Sequence, residues 1–261
     1  MKVTCIHDKV AIESFLRTNP FLYLYSIGDL DDFFWSHTKW YALKEKESIK
    51  AIVVLYTGLT IPVILALAEE ELAPIQELLN SIIHLLPNRF YLNISPGLEE
   101  ILKKHYKLES QGKHYKMTLK NKSLLDNIDT SKVISLSKAN LHEIIKLYKK
   151  SYPGNWFEPR TLDMHPYYGI EGQDSLLSIA GFHVYSAQYK VAAVGNITTH
   201  PKFREKGFGK SATAKLCKSL MKTVNHIGLN VKTDNLPAIA CYKSLGLEII
   251  SPYEEYMVES N

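Results

Sequence analysis

Apolar residues in the second half of the chain recur at helical spacing in some segments and form continuous runs in others. Leu141, Ile144, Ile145 and Tyr148 lie on one face at helical spacing, which predicts a helix over 140–150 with Asn140 and Glu143 as its cap pair. The proline-containing segment 151–172 is predicted to be irregular. Further helices are predicted over 210–225 and 237–245, and strands over 175–185, 190–199, 228–231 and 247–257.

The first half shows a similar order of patterns. Helices are predicted over 8–16, 72–86 and 98–106, and strands over 40–44, 49–56, 62–68, 90–94 and 114–119. In both halves strands lead into a helix and then into another strand, which is typical of an α/β protein with a mixed α+β sheet. We therefore predict two related domains, 1–120 and 131–261, joined by a polar linker over 120–132.

The segment after the strand 190–199 has the composition of an anion-binding loop. Gly207 and Gly209 have no Cβ, so an anion can approach the backbone closely and a positive φ is allowed. The first N–H groups of the following helix lack intrahelical partners and form the positive end of its dipole. Because Arg204, Lys206 and Lys210 add three full charges, the loop is predicted to bind a diphosphate.

Two other phosphate-binding patterns fit this loop less well. A Walker A loop needs four residues between its first Gly and a Gly-Lys pair, and this spacing is absent. A dinucleotide-binding loop formally matches Gly207, Gly209 and Ala212. Its acidic residue should follow about 20 positions later, however, whereas Asp234 lies further on and begins a different motif.

That second motif follows the strand predicted at 228–231. It reads Asn-x-x-Ala-x-x-x-Tyr-x-x-x-Gly from Asn235 to Gly246, with Pro237 suited to a helix start and Gly246 to a helix end. Together with Arg204-x-x-Gly-x-Gly209, it resembles the two cofactor motifs of the GCN5-related N-acetyltransferase (GNAT) family over residues 130–261. The first half lacks the phosphate-loop motif, so the layout resembles a tandem of two GNAT-like halves in which the N-terminal half is degenerate.

The resemblance implies acetyl-CoA, or another acyl-CoA, as the co-substrate. The backbone of the strand end would pair with the pantetheine arm, the loop would hold the pyrophosphate, and Asn235 would bind the arm or cap its helix. The cofactor-binding residues so implied are Ile197, Thr198, Thr199, Arg204, Glu205, Lys206, Gly207, Phe208, Gly209, Lys210, Ser211 and Asn235. Glu205 stands where the family usually has Gly, and we expect its carboxylate to be exposed. The alternative is that the two glycines only make a tight turn.

The resemblance also implies the chemistry, which is transfer of the acyl group to an amine by direct attack in a ternary complex. A backbone N–H near the end of the strand 190–199 would polarise the carbonyl. Tyr242 is the predicted catalytic residue, because a phenol near the sulfur can protonate the departing thiolate. The alternative is that Tyr242 only packs on the core.

The sequence does not identify the general base that would take a proton from the amine. The strand before the loop carries no carboxylate, which favours a second reading of the chain as a non-catalytic acyl-CoA-binding module. The segment Trp156–Gly169 lies where the family carries its acceptor-binding loop, and Arg160 is a candidate partner for a carboxylate on the acceptor. The candidates for the base are His183, His200, Glu158, Asp163, His165 and a water held by Asn196.

The composition of the chain favours some classes of binding partner over others. A net charge of +4 favours a small anionic ligand over nucleic acid, and no apolar run is long enough to span a membrane. Three widely spaced cysteines and no recognisable signal peptide favour reduced thiols and a cytoplasmic location. We expect no metal site, a solvated helix end at Asp29, Asp31 and Asp32, and a small-molecule or peptide amine as the acceptor. The sequence identifies neither the acceptor nor the oligomeric state.

Overall fold

A computed structural model describes residues 1–69, 71–173 and 175–261. The chain forms two compact units, each assembled from more than one segment. The N-terminal unit comprises 1–116, 231–234 and 250–261, and the C-terminal unit comprises 117–230 and 235–249. The boundaries given above for the two domains, 1–120 and 131–261, stay a prediction.

The strands and helices alternate as expected for an α/β protein. The strands are β1 (Lys2–Cys5), β2 (Thr38–Glu45), β3 (Ser48–Tyr56), β4 (Val63–Ala66), β5 (Arg89–Ile94), β6 (Tyr106–Leu119), β7 (Ile134–Leu136), β8 (Tyr167–Glu171), β9 (Leu176–Ser186), β10 (Val191–Thr199), β11 (His226–Lys232) and β12 (Leu247–Ser260). The helices are α1 (Lys9–Leu16), α2 (Leu24–Gly28), α3 (Asp32–Trp35), α4 (Ala73–Ile82), α5 (Glu99–Lys103), α6 (Leu141–Ser151), α7 (Phe208–Leu220) and α8 (Leu236–Ser244).

Each unit contains the same succession of strand pairings. In the N-terminal unit β1, β2, β3 and β4 pair antiparallel in order, and β4 then pairs parallel with β5. In the C-terminal unit β7, β8, β9 and β10 repeat the antiparallel series, and β10 pairs parallel with β11. A helix joins each parallel pair, α4 in one unit and α7 in the other. The mixed sheets and the two related halves are therefore confirmed.

The core of the N-terminal unit shows why α4 forms where it does. Its residues Ile75, Leu78, Leu79 and Ile82 recur at helical spacing and are all buried in one cluster with the inward-facing residues of β3, β4 and β5. Burying four such side chains contributes on the order of 1.5–3 kcal/mol each. The helix is thereby held against the parallel pair that it connects.

Several expectations about single residues were wrong. Asn140 does not cap α6; its side chain instead accepts the backbone N–H of Ser137, because a capping box forms one turn earlier. Asp29 is not at a solvated helix end, since it is only 6% exposed. The proline-rich segment 151–172 is not irregular throughout, because β8 forms over Tyr167–Glu171 near its end.

Candidate functional site

The parallel strands β10 and β11 separate towards their carboxyl ends. Among the described residues their pairing extends only from Val191–His226 to Ala193–Gly228, although β10 continues to Thr199. Alternate residues of a strand point their N–H and C=O groups to each edge. The edge of β10 that faces away from β9 therefore carries backbone groups without a strand partner over its last residues, which include Ile197, Thr198 and Thr199.

A bulge shapes this part of β10. Gly195 pairs with Gly181 and Thr198 with Ile179, so two residues of β10 lie opposite one residue of β9. Asn196 accommodates the extra residue with a φ of 52°, a left-handed conformation that Asn tolerates better than most residues. Its carbonyl accepts the Tyr148 hydroxyl at 2.8 Å, which ties α6 to the bulge. The bulge therefore fixes the direction of the backbone groups that follow it.

The loop between β10 and α7 has the backbone of an anion-binding nest. Glu205 and Gly207 have φ values of 64° and 77°, and the residue following Gly207 opens α7. Such alternation turns successive N–H groups towards one side, next to the positive end of the helix dipole. The intrahelical ladder starts with the N–H of Ser211, which bonds to the carbonyl of Gly207. The N–H groups of Phe208, Gly209 and Lys210 precede it.

Three predicted residues are brought together at the start of α7. A Cβ on Gly209 would lie 3.1 Å from the Thr199 hydroxyl, and Arg204 donates from Nε to the Thr199 carbonyl at 3.4 Å. Ser178 on β9 lies 2.9 Å from that hydroxyl and is fully buried. No pattern in the sequence indicates Ser178, because its contact with Thr199 depends on the pairing of β9 with β10.

The charges of the loop face solvent. Arg204, Glu205 and Lys206 are exposed, whereas Lys210 is half-buried. Glu205 is exposed as expected, so its carboxylate adds little repulsion to an anion bound at the loop.

Burial raises the pKa of the Cys241 thiol and the Lys210 ammonium opposes that rise. The start of α7 therefore lies close to α8.

The helix α8 holds both remaining candidates. Asn235 accepts the N–H of Ala238 at 3.3 Å and so caps α8, while Gly246 follows its end with a φ of 90°. Burial raises the pKa of the Tyr242 phenol, and Cys241, Tyr152 and Cys217 add to the rise. The Tyr242 phenol is therefore protonated at pH 7.

The histidines proposed as bases are all held inside the unit. Burial lowers the pKa of His183 to about 4, and its ring occupies the space where a Cβ on Gly195 would lie. Burial also lowers the pKa of His165, whose Nε2 lies 3.1 Å from the Ser219 hydroxyl. His200 accepts the N–H of Lys202 and caps a short 3-10 turn. Each of the three therefore has a structural role.

The carboxylates proposed as bases are also engaged. Asp163 forms an ion pair with Lys138 at 2.7 Å. Glu158 accepts from the backbone and the guanidinium of Arg160; partial burial raises its pKa, but these bonds outweigh that effect and hold the pKa below its usual value. Arg160 is likewise bound to Glu158, so a carboxylate on an acceptor would have to compete for it.

Aromatic rings line the interior beside the bulge. Phe157 contacts Tyr148 and Tyr167 at centroid distances of 5.2 and 5.7 Å. Tyr167 donates to the Phe182 carbonyl, as does the Asn196 amide nitrogen. The Asn196 Oδ1 is buried without a hydrogen-bond partner among the described residues. The predicted acceptor segment is thus anchored on the strands that carry the bulge.

The described residues meet neither the requirements of a metal site nor those of a membrane-spanning helix. No group of three or more His, Cys, Asp or Glu side chains there could hold a metal ion. None of the described helices combines the length and the apolar character needed to cross a bilayer.

Comparison with known proteins connects this site to a family. Residues 141–247 match the model of the acetyltransferase (GNAT) family. The matched segment includes β10, the loop, α7 and α8. A comparison with curated protein sequences gave no match.

Solved structures resemble the chain over almost its whole length. A Drosophila protein aligns with a TM-score of 0.73 and 10% identity, covering 98% of each chain. A GNAT-family acetyltransferase from Colwellia psychrerythraea aligns with a TM-score of 0.57 and 12% identity, covering both chains completely. A tandem GNAT protein from the clavulanic acid biosynthesis pathway gives a TM-score of 0.57 and 10% identity, over 100% of this chain and 98% of the other. At these identities the likeness concerns the fold.

Proposed function

We propose that this chain moves an acetyl group from acetyl-CoA to a primary amine, because residues 141–247 match the model of the acetyltransferase (GNAT) family, which implies an acyl-CoA co-substrate. The acceptor is a small molecule or a peptide. The amine attacks the thioester directly in a ternary complex, so a C–N bond forms as the C–S bond breaks. The amine loses a proton and the departing thiolate gains one.

The observation that supports this proposal is the separation of β10 from β11 beside the loop. An extended amide chain can pair with the edge of β10 that has no strand partner beyond Ala193 among the described residues, along Ile197, Thr198 and Thr199. A diphosphate at the end of that chain meets the N–H groups from Gly207 to Lys210, the Ser211 hydroxyl and the cations Arg204, Lys206 and Lys210. Asn235 and the exposed Glu205 lie at the margins of this proposed site.

The corresponding strands of the N-terminal unit give an internal comparison. There β4 and β5 stay paired to their ends, from Val63–Tyr91 to Ala66–Ile94. The Ser95 hydroxyl then bonds to both the N–H and the carbonyl of Ala68. Because the described residues of this parallel pair leave no unpaired stretch between the two strands, we assign acyl-CoA binding to the C-terminal unit alone.

Tyr242 is the proposed proton donor. A phenol whose pKa is raised by burial stays protonated at neutral pH and can donate to a thiolate. The carbonyl of the thioester would be polarised by a backbone N–H of β10 beyond the bulge at Asn196. The three cysteines are free thiols, in keeping with the proposed cytoplasmic location.

A second candidate is a non-catalytic acyl-CoA-binding module. The absence of a carboxylate from β10 and the structural roles of the candidate bases favour it. Release of free thiol from acetyl-CoA, followed over a panel of amines, amino acids and peptide N-termini, separates the two. Amine-dependent release is expected for the enzyme. Saturable acetyl-CoA binding without release for any amine would favour the module.

A further inference from the structure

A buried hydroxyl interrupts an otherwise apolar stretch of β9. Residues 176–180 read Leu-Leu-Ser-Ile-Ala and are all buried, and Ser178 has no exposed surface. Burying a hydroxyl is unfavourable unless it makes hydrogen bonds, whereas an apolar residue at this position would carry no such cost. The partners of the Ser178 hydroxyl therefore indicate what this residue does.

The hydrogen bonds of the Ser178 hydroxyl lead to the end of β10. Ser178 lies opposite Thr199 in the register of β9 and β10. Its Oγ is 3.2 Å from the Thr198 carbonyl oxygen and 2.9 Å from the Thr199 hydroxyl oxygen. Because a carbonyl oxygen only accepts, both bonds form together when Ser178 donates to Thr198 and accepts from Thr199. The Thr199 side chain is thereby held in one orientation.

Thr199 in turn contacts the start of α7 and the loop before it. A Cβ on Gly209, in the first turn of α7, would lie 3.1 Å from the Thr199 hydroxyl oxygen and 3.9 Å from the Ser178 hydroxyl oxygen. The Thr199 carbonyl accepts from Nε of Arg204 at 3.4 Å. Thr199 thus connects the end of β10 both to the helix start and to a cation of the loop.

The proposed ligand has to meet these elements at the same time. In the proposed function its pantetheine arm pairs with the edge of β10, while its diphosphate meets the start of α7. Ordering two separate elements on binding costs free energy, so a ligand binds more tightly when the protein already holds them in place. The hydrogen bonds of Ser178 hold the end of β10 at the start of α7 and so supply this order.

We propose that Ser178 is a positioning residue of the acetyl-CoA site. It acts through Thr199, whose orientation it fixes, and so keeps the end of β10, Arg204 and the first turn of α7 in place for a ligand that spans them. Ser178 itself is buried beneath these groups and does not touch the ligand. The proposal rests on the proposed function, because it concerns the affinity for acetyl-CoA, and it adds β9 to the elements that build the site.

The test is calorimetric titration of the full chain with acetyl-CoA, for the wild type and for variants that each remove one hydroxyl. We expect Ser178→Ala to raise the Kd about fivefold, and Thr199→Val, which is similar in shape to the wild type, to raise it at least as much. Thr199→Ser keeps the hydroxyl and should recover most of the affinity lost in Thr199→Val. Wild-type affinity in Ser178→Ala would overturn the positioning role alone. Absence of acetyl-CoA binding by the wild type would overturn this role together with the proposed function.

A double substitution separates positioning from a general loss of stability. Because Ser178 acts through Thr199, Ser178→Ala combined with Thr199→Val should bind acetyl-CoA about as tightly as Thr199→Val alone, whereas independent effects would multiply. The control is Thr118→Val, which removes a buried hydroxyl that bonds to the Ile227 carbonyl at 3.0 Å in the same unit. It should lower the thermal unfolding temperature as Ser178→Ala does, but leave the Kd within about twofold of the wild type. Multiplied losses in the double variant, or an equal loss of affinity in Thr118→Val, would contradict the positioning role.

Discussion

At the scale of single residues, burial shifts the pKa of two groups near the candidate site. It raises the pKa of the Tyr242 phenol, which is protonated at pH 7 even when exposed, and it lowers the pKa of His183 to about 4, so that this imidazole is neutral at pH 7. The sequence identified Tyr242 through its spacing from Asn235. It could not indicate that His183 lies over Gly195 or that Asn196 adopts a left-handed conformation, because both depend on the register between β9 and β10.

Replacement of Tyr242 tests its role as a proton donor. Tyr242→Phe removes only the hydroxyl, so we expect kcat to fall about a hundredfold while the Kd for acetyl-CoA changes little. Tyr106→Phe is the matched control, since its hydroxyl bonds to the Ile83 carbonyl in the N-terminal unit and none of these residues belongs to the proposed site. Equal kcat values for the wild type and Tyr242→Phe would remove Tyr242 from the mechanism.

Asp29 predicts a pH dependence of stability. Burial raises the pKa of this carboxyl from 3.8 to about 7, so between these values the folded state holds a proton that the unfolded state has lost. The contribution of Asp29 to the free energy of unfolding therefore falls as pH rises from about 4 to about 7. Asp29→Asn removes this titration and should stabilise the protein increasingly over that window, as measured by urea unfolding at pH 5 and pH 8. A stability difference between variant and wild type that does not change with pH would contradict the buried carboxyl.

At the scale of elements, the sequence predicts the helices and loops whose ends are marked by local residue patterns. It does not predict strands that form only through pairing with residues distant in the chain. The helices α7 and α8 and the loop before α7 lie within a few residues of the prediction, because glycine, proline and apolar spacing mark their ends. The strand β8 was missed because its residues Tyr167 to Ile170 are all buried and show no alternation. The short elements β1, α2, α3 and β7 carry too few residues to show a period.

The phosphate loop can be tested by filling the space at Gly209. A Cβ at this position would lie 3.1 Å from the Thr199 hydroxyl, so a larger side chain must project over the N–H groups of α7 or displace the end of β10. We expect Gly209→Leu to weaken acetyl-CoA binding at least about tenfold. Lys215→Leu, on the same helix beyond its first turn, serves as the control. Unchanged affinity in Gly209→Leu would mean that the diphosphate binds elsewhere.

At the scale of the whole molecule, the chain repeats one order of strand pairings in two units, and among the described residues the parallel pair β10–β11 separates before β10 ends, whereas β4 and β5 stay paired. The repeat is visible in the sequence as a recurring succession of strands and helices. The assignment of residues 250–261 to the N-terminal unit is not visible there, because it depends on which strand β12 pairs with. That strand pairs antiparallel with β5, from Glu254–Ile94 to Glu259–Arg89.

This assignment predicts the behaviour of a fragment. Residues 1–120 alone lack the strand that covers β5, so the edge of β5 is exposed and its pairing is lost. We expect the fragment to unfold at a lower urea concentration than a fusion in which a flexible Gly/Ser linker joins residue 120 to residues 250–261. Identical unfolding midpoints for the two would show that the last strand is dispensable to the N-terminal unit.

The measurement that tests the central claim most directly is calorimetric titration of the full chain with acetyl-CoA, with NAD and ATP as controls. The account predicts saturable binding of acetyl-CoA at one site per chain and no comparable binding of NAD or ATP. Absence of acetyl-CoA binding, or equal binding of NAD, would contradict the assignment of the β10–α7 loop and the open edge of β10 to acyl-CoA.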